Sequence, residues 1–262
     1  MKNFVQLICF VLSVCLMTAC HTYQPLSVNE EEITFQQRAG ANDIEGMQAL
    51  FARVHVNANC EEHESALMKA ARNGAHEAVN FLLEHGADPD LPDKSGKTAL
   101  MLAAAQGHES IVSALLTGGA KPDILNIHGR TALIEAAYHG YAAIVDALLT
   151  GGAKPDFSGP HGITALMVAA GNGHEACIAA LLTGGAKPDF SGPHGITALM
   201  LAAEQGHAAC ISALLTGGAS LNMQNKRDQT ALALARQSNN PSIVTMLKEN
   251  GGKLYGPKRF LY

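Results

Sequence analysis

The sequence predicts an all-α solenoid in which short helix-turn-helix units stack side by side, joined by β-turn or hairpin connections. Three observations lead there. The string LLTGGAKPDFSGPHGITALM occurs at Leu148 to Met167 and again, letter for letter, at Leu181 to Met200. Thr98, Thr131, Thr164, Thr197 and Thr230 follow one another at a constant spacing of 33 residues, so the doubled string is a local case of a chain-wide period. Paired alanines at Ala70-Ala71, Ala103-Ala104, Ala136-Ala137, Ala169-Ala170 and Ala202-Ala203 keep the same period, and small side chains there let neighbouring units approach closely.

The segment Lys94 to Asp123, KSGKTALMLAAAQGHESIVSALLTGGAKPD, shows the elements of one unit in order. Gly96 supplies a turn that needs positive φ, and Thr98 caps a helix by accepting backbone N–H bonds on its hydroxyl. That helix runs through Leu100, Ala103 and Ala104 and stops at Gly107. Ile111, Val112, Leu115 and Leu116 recur at helical spacing and mark the buried face of a second helix, which Gly118-Gly119 ends in a left-handed turn. Neither helix exceeds about ten residues, and isolated helices that short are marginal in water. Stacking completes their core.

Seven units are expected: Thr34 to Cys60, Glu61 to Pro92, Asp93 to Leu125, Asn126 to Ser158, Gly159 to Ser191, Gly192 to Gln224 and Asn225 to Lys253. The end units depart from the pattern as caps should. The first lacks the Thr-Ala-Leu start and carries Arg53 before Val54 where the others close with Gly-Ala. In the last, Arg236 stands for the second Ala and Lys248 for the second Leu, and such polar substitutions on an outer face stop further stacking. A unit whose two faces match each other can be duplicated in tandem and still pack, which accounts for the doubled string.

These residues resemble the ankyrin-repeat family. Its T-P-L-H-x-A signature is matched by Thr98-Ala99-Leu100-Met101-Leu102-Ala103 and again from Thr131, Thr164 and Thr197. Its G-H is matched at Gly107-His108, Gly173-His174 and Gly206-His207. Ala stands in place of the signature Pro, and Met or Ile in place of its His. The resemblance covers residues 34–253, the expected extent of the repeat domain.

The chain is 47% apolar, 16% charged and without Trp, which suits a core of Ala and Leu. A net charge of −5 and the lack of any Lys/Arg stripe exclude nucleic acid as a partner. Lys2 precedes the apolar run Phe4 to Met17, which falls short of the roughly 20 residues of a bilayer span and fits a signal peptide over residues 1–19. Leu16-Met17-Thr18-Ala19-Cys20 resembles the lipobox of bacterial lipoproteins, which implies that Cys20 becomes the lipidated first residue. Cleavage after Ala19 without lipidation, or an uncleaved anchor, stays open. Residues 20–33 read as a polar tether, and the basic, aromatic tail 254–262 either folds over the last unit or recruits something. The odd number of thiols left, Cys60, Cys177 and Cys210, argues against a disulfide framework; the last two take the core places of Ile111 and Ile144.

Sequence motifs for catalysis are missing: there is no G-x-S-x-G, H-E-x-x-H, C-x-x-C or phosphate loop, so no catalytic residue is assigned. Asp90, Asp123, Asp156 and Asp189 recur once per unit, which suits backbone capping better than a paired acid and base. His128, His161 and His194 form a ladder whose rungs are about 8 to 10 Å apart, whereas zinc needs donors about 2 Å from one centre. No metal and no cofactor are expected, and carriage of haem or metal is the lesser alternative.

The ankyrin resemblance implies protein binding on a concave face built from turn tips and the exposed side of each first helix. The matching tip residues are Lys97; Ile127, His128 and Arg130; His161 and Ile163; His194 and Ile196; and Arg227. The helix positions are Tyr138 and His139, Asn172, and Glu204 with Gln205. A merely solvated rim does not account for exposed Ile127, Ile163, Ile196 and Tyr138; Tyr138 is the best single anchor. Phe157 and Phe190 shield the bases of their turns. The expected protein is a monomeric, non-catalytic scaffold, lipid-anchored in the periplasm to a bacterial membrane, the outer one first, where it binds one or more envelope proteins. The leading role is an inhibitor or immunity protein against an envelope-acting toxin. The alternative is an accessory protein that protects or matures a periplasmic enzyme.

Overall fold

The computed structural model describes residues 30–58 and 64–255. The signal peptide, Cys20, most of the tether, Cys60 and the end of the tail lie outside the described residues.

Fourteen helices pair into seven units, and no strand is present among the described residues. The pairs are α1 (Glu30–Gly40) with α2 (Ile44–Phe51), α3 (Ala66–Asn73) with α4 (His76–Glu84), and α5 (Ala99–Gln106) with α6 (Glu109–Thr117). Then come α7 (Ala132–His139) with α8 (Ala142–Thr150), α9 (Ala165–Asn172) with α10 (Glu175–Thr183), α11 (Ala198–Gln205) with α12 (Ala208–Thr216), and α13 (Ala231–Gln237) with α14 (Pro241–Glu249). First helices pack in one row and second helices in another, each against the next unit. α1 begins at Glu30, within the segment 20–33 read as tether. Three glutamates in its first turn suit the positive end of the helix dipole, and Phe35 and Ala39 bury its inner side.

The caps follow the repeat. Thr98, Thr131, Thr164, Thr197 and Thr230 are buried, and each hydroxyl accepts the backbone N–H three residues on. Met101, Ile134, Met167 and Met200, in the place of the signature His, are each 1% exposed, so apolar packing fills that site while the cap bond remains. Each of α3, α5, α7, α9 and α11 ends on a glycine in the left-handed region, as at Gly140 with φ 80°.

Two ladders bind unit to unit. Nε2 of His108, His174 and His207 donates to the backbone carbonyls of Arg72, Tyr138 and Gly171 in the preceding unit, at 3.1, 3.0 and 3.2 Å. A carbonyl only accepts, so Nε2 carries the proton. Asp90, Asp123, Asp156 and Asp189 accept the backbone N–H of Lys121, Lys154, Lys187 and Ser220 in the following unit, which is the capping role expected of them. Beneath these runs the Leu/Ala core, with Cys177 and Cys210 inside it. Burial, with Asp146 nearby, pushes the Cys177 thiol up to about 11. At the C-terminal end the Thr230 hydroxyl donates to the carbonyl of Lys253 at 2.7 Å and Leu254 packs on the core, so the start of the tail folds onto the last unit.

The tips are tied unevenly. Ile127 N–H donates to the Ser95 carbonyl and Lys226 N–H to the His194 carbonyl, both at 3.0 Å. At the same place in units five and six stand Pro160 and Pro193, which have no N–H to give. Gly159 and Gly192 instead let those tips close up: a Cβ on Gly159 would lie 2.7 Å from Gly129 Cα.

Candidate functional site

Between the tips and first helices of units three to five lies a depression of about 640 Å³. It gathers seven of the expected residues: Lys97, His128, Arg130, Tyr138, His139, His161 and Ile163. A second, of about 310 Å³, gathers His194, Ile196, Glu204 and Arg227 at units six and seven. Ile127, Asn172 and Gln205 line neither of these two; Ile127 is 70% exposed, and the Asn172 amide donates back to the Val168 carbonyl on its own helix. One expectation is corrected. Ile196 is half-buried against the core rather than exposed, and close by it the Lys226 N–H of the last unit's tip is tied to the His194 carbonyl. Phe157 and Phe190 are half-buried, the latter on the core.

The larger depression is organised around α7. Tyr138 stands exposed at the end of that helix, with the Arg130 guanidinium 4.9 Å from its ring centroid and His139 edge-on at 5.0 Å. Arg130 also faces Glu135, Nη1 to Oε2, at 3.6 Å. The sequence reading missed Glu135 and Asn126. Glu135 is 6% exposed and occupies the fourth place after the cap threonine, where other units carry Leu102, Val168, Leu201 and Leu234. Unit two carries Lys69 four residues after its Ser65 cap, so Glu135 is the one carboxylate at this place among the capped units, a signal already present in the sequence. Asn126, 5% exposed, shapes the tip: its Oδ1 accepts the N–H of His128 at 2.9 Å and of Arg130 at 3.0 Å. Its Nδ2 is buried with no hydrogen-bond partner.

This arrangement offers a mixed surface. Ile134, Ile163 and Val168 give apolar wall, Tyr138 an amphipathic anchor, and Arg130, Lys97 and three imidazoles supply donors. No three His, Cys, Asp or Glu side chains come together to hold a metal ion among the described residues. No helix among them is long and apolar enough to cross a membrane.

A family model described as ankyrin repeats in three copies matches residues 36–126, 112–192 and 166–255. Among curated proteins no sequence match is found. The human ASB11 ankyrin repeat domain is similar in structure, with TM-score 0.75, 29% identity, and coverage of 84% of this chain and 98% of that one. An ankyrin repeat domain from Acinetobacter baumannii AYE is also similar, with TM-score 0.65, 31% identity, and coverage of 71% of this chain and 98% of its own. The chain belongs to the ankyrin-repeat family, whose repeats are scaffolds for binding other proteins.

Proposed function

We propose that this protein is a non-catalytic scaffold that grips another protein of a bacterial envelope through the depression at unit four. The carrying observation is that Arg130, Tyr138 and His139, at places that vary from unit to unit, converge with Glu135, at a place that is aliphatic in most units, on one depression. Tip and helix positions that serve only solubility have no reason to converge. Tyr with Arg is also the pairing enriched where binding energy concentrates. A standard interface takes about 800 Å² from each partner, an area within reach of a face seven units long.

The envelope setting rests on the run Phe4 to Met17 and on Leu16 to Cys20. Lipidation at Cys20 predicts palmitate labelling of the wild type and none of Cys20→Ala; equal labelling of both would remove the anchor from the proposal. Within that setting the leading role is inhibition of an envelope-acting toxin, and the alternative is care of a periplasmic enzyme. Deletion that sensitises cells to a neighbouring toxin gene supports the first, and loss of one enzyme's activity the second. The binding claim itself is tested by cross-linking the protein in its native envelope and identifying what it captures. The double variant Arg130→Ala/Tyr138→Ala is expected to lose that partner, and undiminished capture would overturn the site.

A further inference from the structure

The repeat provides its own controls for the tip residue that opens each unit. Unit three has Asp93, whose Oδ1 accepts the N–H of Ser95 and Lys97, both at 2.8 Å. Units five and six have Gly159 and Gly192. Unit seven has Asn225, which makes the same turn and whose Nδ2 donates to Gln229 Oε1 at 3.1 Å. Only in unit four does an amide make the turn while its Nδ2 is left buried without a partner. The side chain at the Gln229 position is here Arg130, which has no acceptor to offer. A buried donor left unmade costs about 1–3 kcal/mol, and Asp93 shows that the turn alone is satisfied without an amide.

The missing partner is therefore an acceptor. Its charge follows from the lining: Lys97 and Arg130 are cations, His128, His139 and His161 add donors, and Glu135 is the one carboxylate. Glu135 already faces Arg130, loosely, at 3.6 Å. The Arg130 side chain is 42% exposed, so it has room to turn part of its fork toward an incoming group while the rest stays on Glu135.

We propose that the unit-four depression is a receptor for one acidic side chain, an Asp or Glu on the surface of the partner protein, with Arg130 pairing the carboxylate and Asn126 Nδ2 donating to it. This deepens the binding reading above and rests on it. The two are separable, because a small-molecule probe tests the pocket without any partner.

The test is amide NMR of the folded protein titrated with N-acetylglutamate methylamide and, separately, with the neutral N-acetylglutamine methylamide. The expected result is that the acid alone moves the Asn126 side-chain amide and the backbone amides of Glu135 and Tyr138. Asn126→Asp keeps the turn, as Asp93 does, and Asn126→Gly removes the donor without adding charge, as Gly159 and Gly192 do. Both should weaken the response of Glu135 and Tyr138 about tenfold or more, the worth of a hydrogen bond to a charged group. An equal response to both probes, no response to either, or full response in the Asn126→Gly variant would each overturn the proposal. A wild-type protein that shows the carboxylate response but captures no protein in its native envelope would instead count against the protein-binding reading alone.

Discussion

Glu135 is the residue that most sets this chain apart from a plain stack of repeats. A carboxylate at 6% exposure surrenders most of its hydration, and a loose pair with Arg130 at 3.6 Å returns only part of it. Glu135→Leu installs the residue found at 102, 201 and 234, so we expect folding stability unchanged or raised, by up to about 1–4 kcal/mol, together with weaker partner capture. A destabilised variant that still captures the partner would show that Glu135 serves the fold instead. Cys177 gives a second residue-scale outcome. Its thiol ionises at 9.0 when unfolded and at about 11 in the core, so folding stability is intact below pH 9 and is lost as pH rises from 9 to 11. The loss amounts to about 2–3 kcal/mol at most. Denaturant titrations across that window should fall more steeply for the wild type than for Cys177→Ala, and parallel curves would contradict the burial argument.

At the scale of elements, the units are held by their caps, and units three, five and six are also stapled by a histidine to the preceding unit, where cap and staple meet at one glycine. Gly140 has φ 80°, and a Cβ added there would lie 2.6 Å from His174 Nδ1, whose ring donates to the Tyr138 carbonyl. Gly152 has φ 90° with nothing within 4 Å of the same added atom. Gly152→Ala should therefore cost only the left-handed strain, about 1–2 kcal/mol, while Gly140→Ala also displaces the staple and costs measurably more. Equal losses in thermal melts would mean that the staple is idle. These elements were legible in the sequence, because Thr98, Gly107, His108 and Gly118-Gly119 each do a local job that residue type and spacing reveal. The site was legible only in part. Tip and helix positions located Arg130 and Tyr138, but the burial of Glu135 and the half-burial of Ile196 depend on what the neighbouring unit presses against them. The idle amide of Asn126 depends on Arg130 standing where Gln229 stands three units on. Such facts belong to pairs of units, so a reading of one unit at a time misses them.

For the whole molecule, the doubled string allows a clean cut. Removing residues 159–191 joins Ser158 to Gly192 and restores the letters FSGPHGITALM across the junction. His194, Ile196 and Leu201 then take the places of His161, Ile163 and Val168 beside the unit-four depression, so its lining changes only from Val to Leu. Stability in a stacked array is a sum of unit and interface contributions, so the shortened protein should melt cooperatively at a lower temperature. X-ray scattering should find it shorter by about 8–10 Å, one helix spacing, and partner capture should persist. Removing residues 126–158 takes away the same number of residues, keeps five of the cap threonines or their Ser65 counterpart, and deletes Arg130, Glu135, Tyr138 and His139 together. That variant should fold as well as the first and capture nothing. If both deletions bind equally, recognition is spread along the array; if both unfold, the units are not the independent, interchangeable modules that their shared caps and matching faces imply.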